Sequence, residues 1–155
     1  MTTLIEDSRQ QKGKHEHKLN AWKEHGIGVY RCALPCGDYA LPPAVAVDTK
    51  ASMLEIAQNI GGTTEEHERF RRELIRAKDM GTHLYIVVEN DEGIRCLADV
   101  LRWVNPRLID SPKAITGDRL AKAMRTMEIR YGCNFYFCRP EESACLIFKI
   151  LERGI

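Results

Sequence analysis

The chain lacks any segment suited to crossing a membrane. Residues 1–7 have neither the basic region nor the long apolar stretch of a signal peptide. The longest clearly apolar strand-like run, at residues 84–88, is far too short to span a bilayer. We therefore expect an intracellular protein of the cytoplasm or nucleoid, which is not secreted and has no membrane partner.

The chain also has little excess of either charge and no cysteine pattern typical of a zinc site. It carries 23 basic and 22 acidic residues, so any affinity for nucleic acid must come from local clusters. Its six cysteines form no C-x-x-C pair, and their spacings match no common zinc pattern. We expect buried, reduced thiols. The alternative is a four-thiolate metal site built from Cys32, Cys36, Cys133 and Cys138.

Internal repeats, low-complexity tracts and linkers are absent, which favours a single domain over all 155 residues. Apolar periodicity, turn residues and capping residues predict strands at 4–7, 27–34, 39–41, 44–49, 83–89 and 134–138, and helices at 14–25, 52–60, 63–80, 93–103, 116–130 and 141–153. A hairpin region beside strands that alternate with helices predicts an α/β fold, with a central mixed sheet flanked by helices.

Two acids and a lysine form the most informative group in the chain. Asp48 and Lys50 lie two residues apart on a predicted strand, so their side chains point to one face. Asp38 follows Gly37 in a nearby turn and can reach that face. Two carboxylates and an ammonium on one sheet edge can hold a divalent metal and position a water, as phosphodiester cleavage requires. The alternatives are a structural turn aspartate and a solvated strand end.

A stripe of arginines accompanies this group on the predicted helix at 63–80. Arg69, Arg72 and Arg76 recur at intervals of three and four residues, which places them on one side of the helix. Such a stripe can contact phosphates independently of sequence. The alternative is a solvated face whose ion-pair partners are Glu65, Glu68 and Glu73. The basic segment at 12–18 allows the same two interpretations.

Together these residues resemble the nuclease domain of the XPF family of structure-specific DNA endonucleases, a branch of the PD-(D/E)xK superfamily. The family motifs V-D-x-R-E, G-D-Y and E-R-K are matched in order by Ile5-Glu6-Asp7-Ser8-Arg9-Gln10, Gly37-Asp38-Tyr39 and Asp48-Thr49-Lys50. Residues 67–70, 84–89 and 131–151 resemble the family's following helix, its next strand, and its final strand and helix. Here Asp48 replaces the family's glutamate, and Thr49 replaces its middle arginine.

The resemblance implies a restriction-endonuclease-like fold and an endodeoxyribonuclease that depends on Mg²⁺ or Mn²⁺. It implies catalytic roles for Asp38, Asp48 and Lys50. It implies metal ligands from Asp7, Asp38, Asp48 and the carbonyl of Thr49. The expected contacts to nucleic acid are Arg9, Arg69, Arg72 and Arg76. For Asp7 and Arg9 the alternative interpretation is a surface ion pair.

The resemblance also implies partners. The expected substrate is branched or flapped DNA, in repair or recombination. The last predicted helix is apolar nearly all round, as in a buried helix or an interface. Family members pair through their nuclease domains, so we expect a homodimer or pairing with another nuclease-like or DNA-binding subunit. No helix-hairpin-helix module is expected within residues 1–155. The alternative function is a catalytically inactive DNA-binding or scaffold subunit of the same fold.

Overall fold

The fold is built on one six-stranded sheet, described here from a computed structural model that covers residues 2–41 and 44–153. The strands are Thr3–Asp7 (β1), Gly28–Cys32 (β2), Tyr39–Leu41 (β3), Val45–Lys50 (β4), His83–Glu89 (β5) and Asn134–Cys138 (β6). They lie in the order β2-β1-β3-β4-β5-β6, and β3 runs antiparallel to both of its neighbours while the other pairs are parallel. The predicted mixed sheet is confirmed.

Helices cover both faces of the sheet. They are Glu16–Glu24 (α1), Met53–Gly61 (α2), Thr64–Asp79 (α3), Leu97–Val100 (α4), Gly117–Tyr131 (α5) and Ser143–Arg153 (α6), with short 3₁₀ helices at Pro106–Ile109 and Pro140–Glu142. One core contains buried side chains of α2, α3 and α5, and the other contains buried side chains of α1 and α6. The predicted flanking helices are therefore confirmed, and none of the described helices is long and apolar enough to cross a membrane.

The alternation of side chains along β4 decides where the polar residues at its end point. Ala46 packs into the core under α2 and α3, whereas Val47 packs into the core under α1 and α6. Because successive side chains of a strand point to opposite faces, Asp48 and Lys50 share the face of Ala46. Thr49 shares the face of Val47. The end of β4 thus presents polar groups to both sides of the sheet.

The predicted helix at 93–103 is wrong, because only Leu97–Val100 is helical. The side chain of Asn90 holds a turn instead, with Oδ1 accepting from the amides of Glu92 (3.1 Å) and Ile94 (3.0 Å). The carboxylate of Asp99 accepts from the amides of Arg95 and Cys96, at 2.8 and 3.2 Å. These local side-chain bonds compete with helical hydrogen bonds over the first residues of the segment.

Side chains cap the first turns of α2 and α3, but only α3 has a complete capping box. At α3, the Thr63 side chain accepts from Glu66 N, and the Glu66 carboxylate accepts from Thr63 N. At α2, Ser52 Oγ accepts from Glu55 N at 3.0 Å. The carboxylate of Glu55 instead accepts from Ala51 N at 2.6 Å. Ser52 is therefore an N-cap, while Glu55 ties down the end of β4.

The cysteines are all free, and the predicted alternative of a four-thiolate site is wrong for the described residues. Cys36, Cys133 and Cys138 are buried and Cys32 is half-buried. Burial is the main cause that raises the pKa of Cys133 and of Cys138 to about 12, so both are neutral thiols near pH 7. The expectation of burial fails for Cys96 and Cys145, which are exposed.

Glu142 makes a contribution to stability that depends on pH. Its carboxylate accepts from Arg95 Nη1 at 2.6 Å and from Arg139 N at 2.9 Å. These bonds, with the Arg95 guanidinium first among them, lower the pKa of Glu142 from 4.5 to about 2. A pKa lowered by folding stabilises the protein above the unfolded-state value, and this stabilisation is lost as the pH falls from 4.5 towards 2.

We therefore expect Glu142→Gln to lower the melting temperature at pH 7 and to differ less from wild type at about pH 3. Because Glu142 is exposed to solvent, the difference should also shrink at high salt. Thermal unfolding followed by circular dichroism at both pH values measures the effect. A difference that stays constant over this pH range would contradict the assigned pKa.

Candidate active site

A glycine turn brings Asp38 to the end of β4. Gly37 has a φ of +73°, and a Cβ at this position would lie 3.0 Å from the Val47 carbonyl oxygen. The next amide, Asp38 N, donates to that same carbonyl at 2.7 Å, and Asp7 N donates to Asp38 O at 2.7 Å. The turn is therefore held between β1 and β4, and its backbone conformation and close packing both favour glycine.

The carboxylate of Asp38 is oriented by Thr49. Asp38 Oδ2 accepts from Thr49 N at 2.8 Å and from Thr49 Oγ1 at 2.6 Å. A carboxylate has two oxygens and about four acceptor positions. The two bonds from Thr49 therefore fix the direction of the carboxylate and leave acceptor capacity for a ligand.

Asp48 and Lys50 form a buried ion pair, with Asp48 Oδ2 lying 2.9 Å from Lys50 Nζ. Beyond this contact, Asp48 Oδ2 has no hydrogen-bond partner in the described part of the chain. Burial raises the pKa of Asp48 well above its ordinary value, and the charges of Asp38 and Glu73 act in the same direction although Lys50 opposes them. Lys50 Nζ also lies 5.1 Å from the centre of the Phe70 ring, a distance that permits a cation–π contact.

Asp7 and Arg9 are paired, but not as an ordinary surface pair. Arg9 Nε donates to both oxygens of Asp7, at 2.8 and 3.1 Å, and the amide of Leu34 donates to Asp7 Oδ1 at 3.1 Å. Asp7 is buried, while the side chain of Arg9 is 61% exposed. Arg9 Nη2 also donates to the carbonyl of Leu34. A cation at Asp7 would thus have to compete with Arg9 for the same oxygens.

Glu73 is a site residue for which the sequence analysis predicted only an ion pair with the arginines. Its Oε1 accepts from the amide of Gly37 at 2.9 Å, which ties α3 to the glycine turn. It lines the same cleft as Asp7, Asp38 and Asp48. The available signal was its spacing, because it lies four residues after Arg69 and three before Arg76, on the arginine side of the helix.

The carboxylates lie where two clefts meet. The first, which we call the arginine cleft, is lined by Asp7, Arg9, Pro35, Gly37, Asp38, Asp48, Arg69, Arg72, Glu73 and Arg76. The second, the α1 cleft, is lined by Gln10, Lys14, His15, Lys18, Asp38, Asp48, Thr49, Lys50, Ala51, Glu55 and Glu89. Asp38 and Asp48 line both clefts. Seven of the nine predicted site residues therefore line the arginine cleft, and the other two, Thr49 and Lys50, line the α1 cleft.

The arginine stripe does not pair with the glutamates that the alternative interpretation required. Glu68 pairs with Arg71 at 3.6 Å, and Glu73 accepts from Gly37. Arg76 Nη1 donates to the Pro35 carbonyl at 3.0 Å, and Arg72 Nε donates to the Glu68 carbonyl at 3.3 Å. Within residues 2–41 and 44–153, the three guanidiniums of the stripe form no ion pair with a carboxylate.

A buried ion pair lies at the α1 cleft, between Lys18 and Glu89. Lys18 belongs to the basic segment at 12–18, and the prediction that this segment is exposed or faces DNA is wrong for Lys18, which is fully buried. Its Nζ lies 2.5 Å from Glu89 Oε1, at the end of β5. The period of α1 held the signal, because Lys18 lies four residues before the buried Trp22 and hence on the inner side of the helix.

The residues present fit a hard divalent cation that keeps several of its waters. Asp38 retains acceptor capacity, and the buried Asp48 Oδ2 has no partner among the described residues other than Lys50. Both offer the oxygen ligands that Mg²⁺ prefers. Among the described residues, no three Asp, Glu, His or Cys side chains form a ready cage for a metal. The geometry therefore suits one or two carboxylates, a backbone oxygen and water better than an all-protein cage.

Comparisons with known proteins identify the family and the fold of this chain. A family model described as "ERCC4 domain" matches residues 6–150. The structure of XPF from Aeropyrum pernix is similar, with a TM-score of 0.69, 20% sequence identity, and coverage of 98% of this chain and 64% of that chain. XPF from Aeropyrum pernix in complex with DNA has a TM-score of 0.69 and 18% identity, with coverage of 99% and 65%. No curated protein matches the chain.

Both structural matches support the fold, and this chain spans less than two thirds of the length of each matched chain. The family model covers far more than half of the present sequence. The resemblance to XPF nuclease domains read from three short motifs is thus confirmed. The chain belongs to the ERCC4 domain family.

Proposed function

We propose that this protein is a metal-dependent DNA endonuclease that hydrolyses phosphodiester bonds, in branched or flapped DNA, during repair or recombination. The observation that carries the proposal is the shared position of Asp38 and Asp48 at the junction of two clefts, one of which is lined by the arginine stripe. Carboxylates next to guanidiniums combine ligands for a cation with donors for phosphate.

Asp38, Asp48 and the Thr49 carbonyl would hold Mg²⁺ or Mn²⁺. The bound cation would polarise the phosphoryl oxygen and lower the pKa of a bound water. Lys50 is held in place by Asp48 and Phe70, so its ammonium can orient the attacking water and offset charge on the phosphate. Thr49 keeps Asp38 pointed at the cleft by donating from its amide and its hydroxyl.

Asp7 and Glu73 take supporting roles in this proposal. The oxygens of Asp7 are engaged by Arg9 and by the Leu34 amide, so its contact with the cation would run through a water or require displacement of Arg9. Glu73 positions the glycine turn through the Gly37 amide. Its negative charge also adds to the field that favours a cation at Asp48.

The arginine stripe would bind the backbone of the DNA. Guanidiniums match phosphate oxygens in a bidentate geometry and need no particular base. Arg69, Arg72 and Arg76 line the cleft that contains the carboxylates, so phosphates bound there would lie next to the metal ligands. Arg9 is exposed at the same cleft and can add a contact through the part of its guanidinium that faces solvent.

Features of the same site favour a second candidate, a catalytically inactive DNA-binding or scaffold subunit. Arg9 neutralises Asp7 and Lys50 neutralises Asp48, and the described residues contain no ready cluster of three metal ligands. A site of this kind that holds no metal ion can still bind DNA through its arginines. The predicted homodimer, or pairing with another nuclease-like or DNA-binding subunit, and the intracellular location belong to either candidate.

Removal of the lysine or of the second carboxylate separates the two candidates. We expect Lys50→Ala and Asp48→Asn to reduce Mg²⁺-dependent cleavage by about 100-fold or more, because each removes a group that acts on the reacting phosphate. Both variants should keep their affinity for DNA, since the arginine stripe is unchanged. The measurement is cleavage of labelled Y-fork, 3′-flap and four-way-junction DNA with Mg²⁺, with Mn²⁺ and with EDTA.

Asp110→Asn is the matched control, because Asp110 is exposed and lines neither cleft. Cleavage that persists unchanged in both site variants would mean that another site or a contaminant cuts the DNA. A folded wild-type protein that binds the three substrates but cuts none of them, with either metal, would establish the inactive subunit.

The arginine stripe can be tested by the salt dependence of binding. We expect Arg72→Ala to weaken DNA binding and to reduce the slope of log K against log salt by about 0.7 to 0.9, the value for one lost phosphate contact. Arg71→Ala is a matched control on the same helix, since Arg71 pairs with Glu68 and does not line the arginine cleft. Equal slopes for the two variants would contradict the assignment of the stripe to DNA.

A further inference from the structure

The position of α1 carries an inference about the path of the substrate strand. Lys18 and Glu89 form a buried ion pair that joins α1 to the end of β5. Trp22 Nε1 donates to the Ala144 carbonyl at 2.9 Å, which joins α1 to α6. A buried ion pair is weak evidence for stability, because desolvation of both charges offsets their attraction. The Lys18–Glu89 ion pair nevertheless fixes a position, because it holds the start of α1 beside the carboxylates.

The two clefts meet at Asp38 and Asp48 and extend from these carboxylates in different directions. Within the described chain, Asp38 and Asp48 are the only residues that line both clefts, and all other lining residues differ. The arginine cleft contains side chains of α3, and the α1 cleft contains side chains from the segment before α1 and from α1 itself. A strand that lies across the carboxylates therefore extends into both clefts.

Most charges of the α1 cleft are already used within the protein. Lys18 is paired with Glu89, and Lys50 is paired with Asp48. Burial and the Lys18 ammonium lower the pKa of His15, so its imidazole is uncharged near pH 7. Lys14 is different, because it is exposed and takes part in no ion pair among residues 2–41 and 44–153. It is the cation of this cleft that is available to a ligand.

We propose that Lys14 binds a backbone phosphate of the substrate strand, on the opposite side of the cleaved bond from the phosphates that the arginine stripe binds. The strand then crosses the carboxylates from α3 to α1, and the Gln10 amide, which lines the α1 cleft, lies beside the same phosphate. This inference rests on the proposed function, because it places the cleaved bond at Asp38 and Asp48. It adds a phosphate subsite and a fixed direction for the bound strand.

The test asks which phosphate of the DNA each residue contacts. A branched DNA substrate carries a methylphosphonate, which is neutral, at the cleaved linkage, so that it is bound but not cut. A second methylphosphonate is moved along the same strand, one position at a time. The affinities of wild type, Lys14→Ala and Arg72→Ala are measured by fluorescence anisotropy in Mg²⁺. Circular dichroism confirms that each variant is folded.

We expect Lys14→Ala to bind several-fold more weakly and to reduce the salt slope by about 0.7 to 0.9. At one position, a neutral linkage should weaken DNA binding by wild type and leave the affinity of Lys14→Ala unchanged. At a different position, on the other side of the cleaved bond, a neutral linkage should weaken binding by wild type and leave the affinity of Arg72→Ala unchanged. Lys23→Ala is the matched control, because Lys23 is a nearby lysine on α1 that lines a different groove with Leu19 and Ile27. It should behave as wild type.

The inference would be overturned if Lys14→Ala bound DNA with the same affinity and the same salt slope as Lys23→Ala. It would also be overturned if Lys14 and Arg72 both depended on linkages on the same side of the cleaved bond. Failure of the proposed function has a different signature. If wild type cuts no substrate, the binding measurements are repeated on DNA without the methylphosphonate at the expected cleavage position. If Lys14 and Arg72 then each depend on a different linkage, in the same order along the strand, the strand path is supported although the protein does not cut. If wild type binds no DNA, both proposals fail.

Discussion

The site depends on one backbone arrangement, in which the Gly37-Asp38 turn is hydrogen-bonded to two strands. Asp38 N donates to the Val47 carbonyl, and Asp38 O accepts from Asp7 N, each at 2.7 Å. These bonds bring together the motifs of β1, the turn and β4, although about thirty residues separate β1 from the turn and about ten more separate the turn from Asp48. Because a Cβ at Gly37 would lie 3.0 Å from the Val47 carbonyl oxygen, a side chain at this position would require the turn that holds Asp38 to shift.

Electrostatics explains why this arrangement needs so many neighbouring cations. Asp7 and Asp48 are buried, and buried carboxylates are costly unless they are paired. Arg9 and Lys50 supply the pairing and keep the acids in place when no metal is bound. Asp38 is instead held by neutral donors from Thr49. The carboxylates thus differ in how readily they can accept a cation, with Asp38 the least encumbered and Asp7 the most.

Local sequence signals predicted most elements of the fold, and they failed where distant contacts decide the outcome. β5 was predicted at its observed ends, because its apolar run is buried on both faces. The helix at 93–103 was shortened by side-chain bonds of Asn90 and Asp99 to nearby amides, which no periodicity reports. Likewise, spacing places Lys18 on the inner side of α1 with Trp22, but it does not report the distant partner, Glu89 of β5, against which Lys18 is buried.

The sequence by itself determined the order of the strands and helices, the family motifs and the residue types of the site. Periodicity and turn residues are local properties, so they can be read without knowledge of the packing. Only the tertiary structure decided that Glu73 accepts a hydrogen bond from the glycine turn, that Arg9 forms an ion pair with Asp7, and that Asp38 and Asp48 line both clefts. These outcomes depend on which distant side chains meet when sheet and helices pack, and that is fixed by shape and burial in three dimensions.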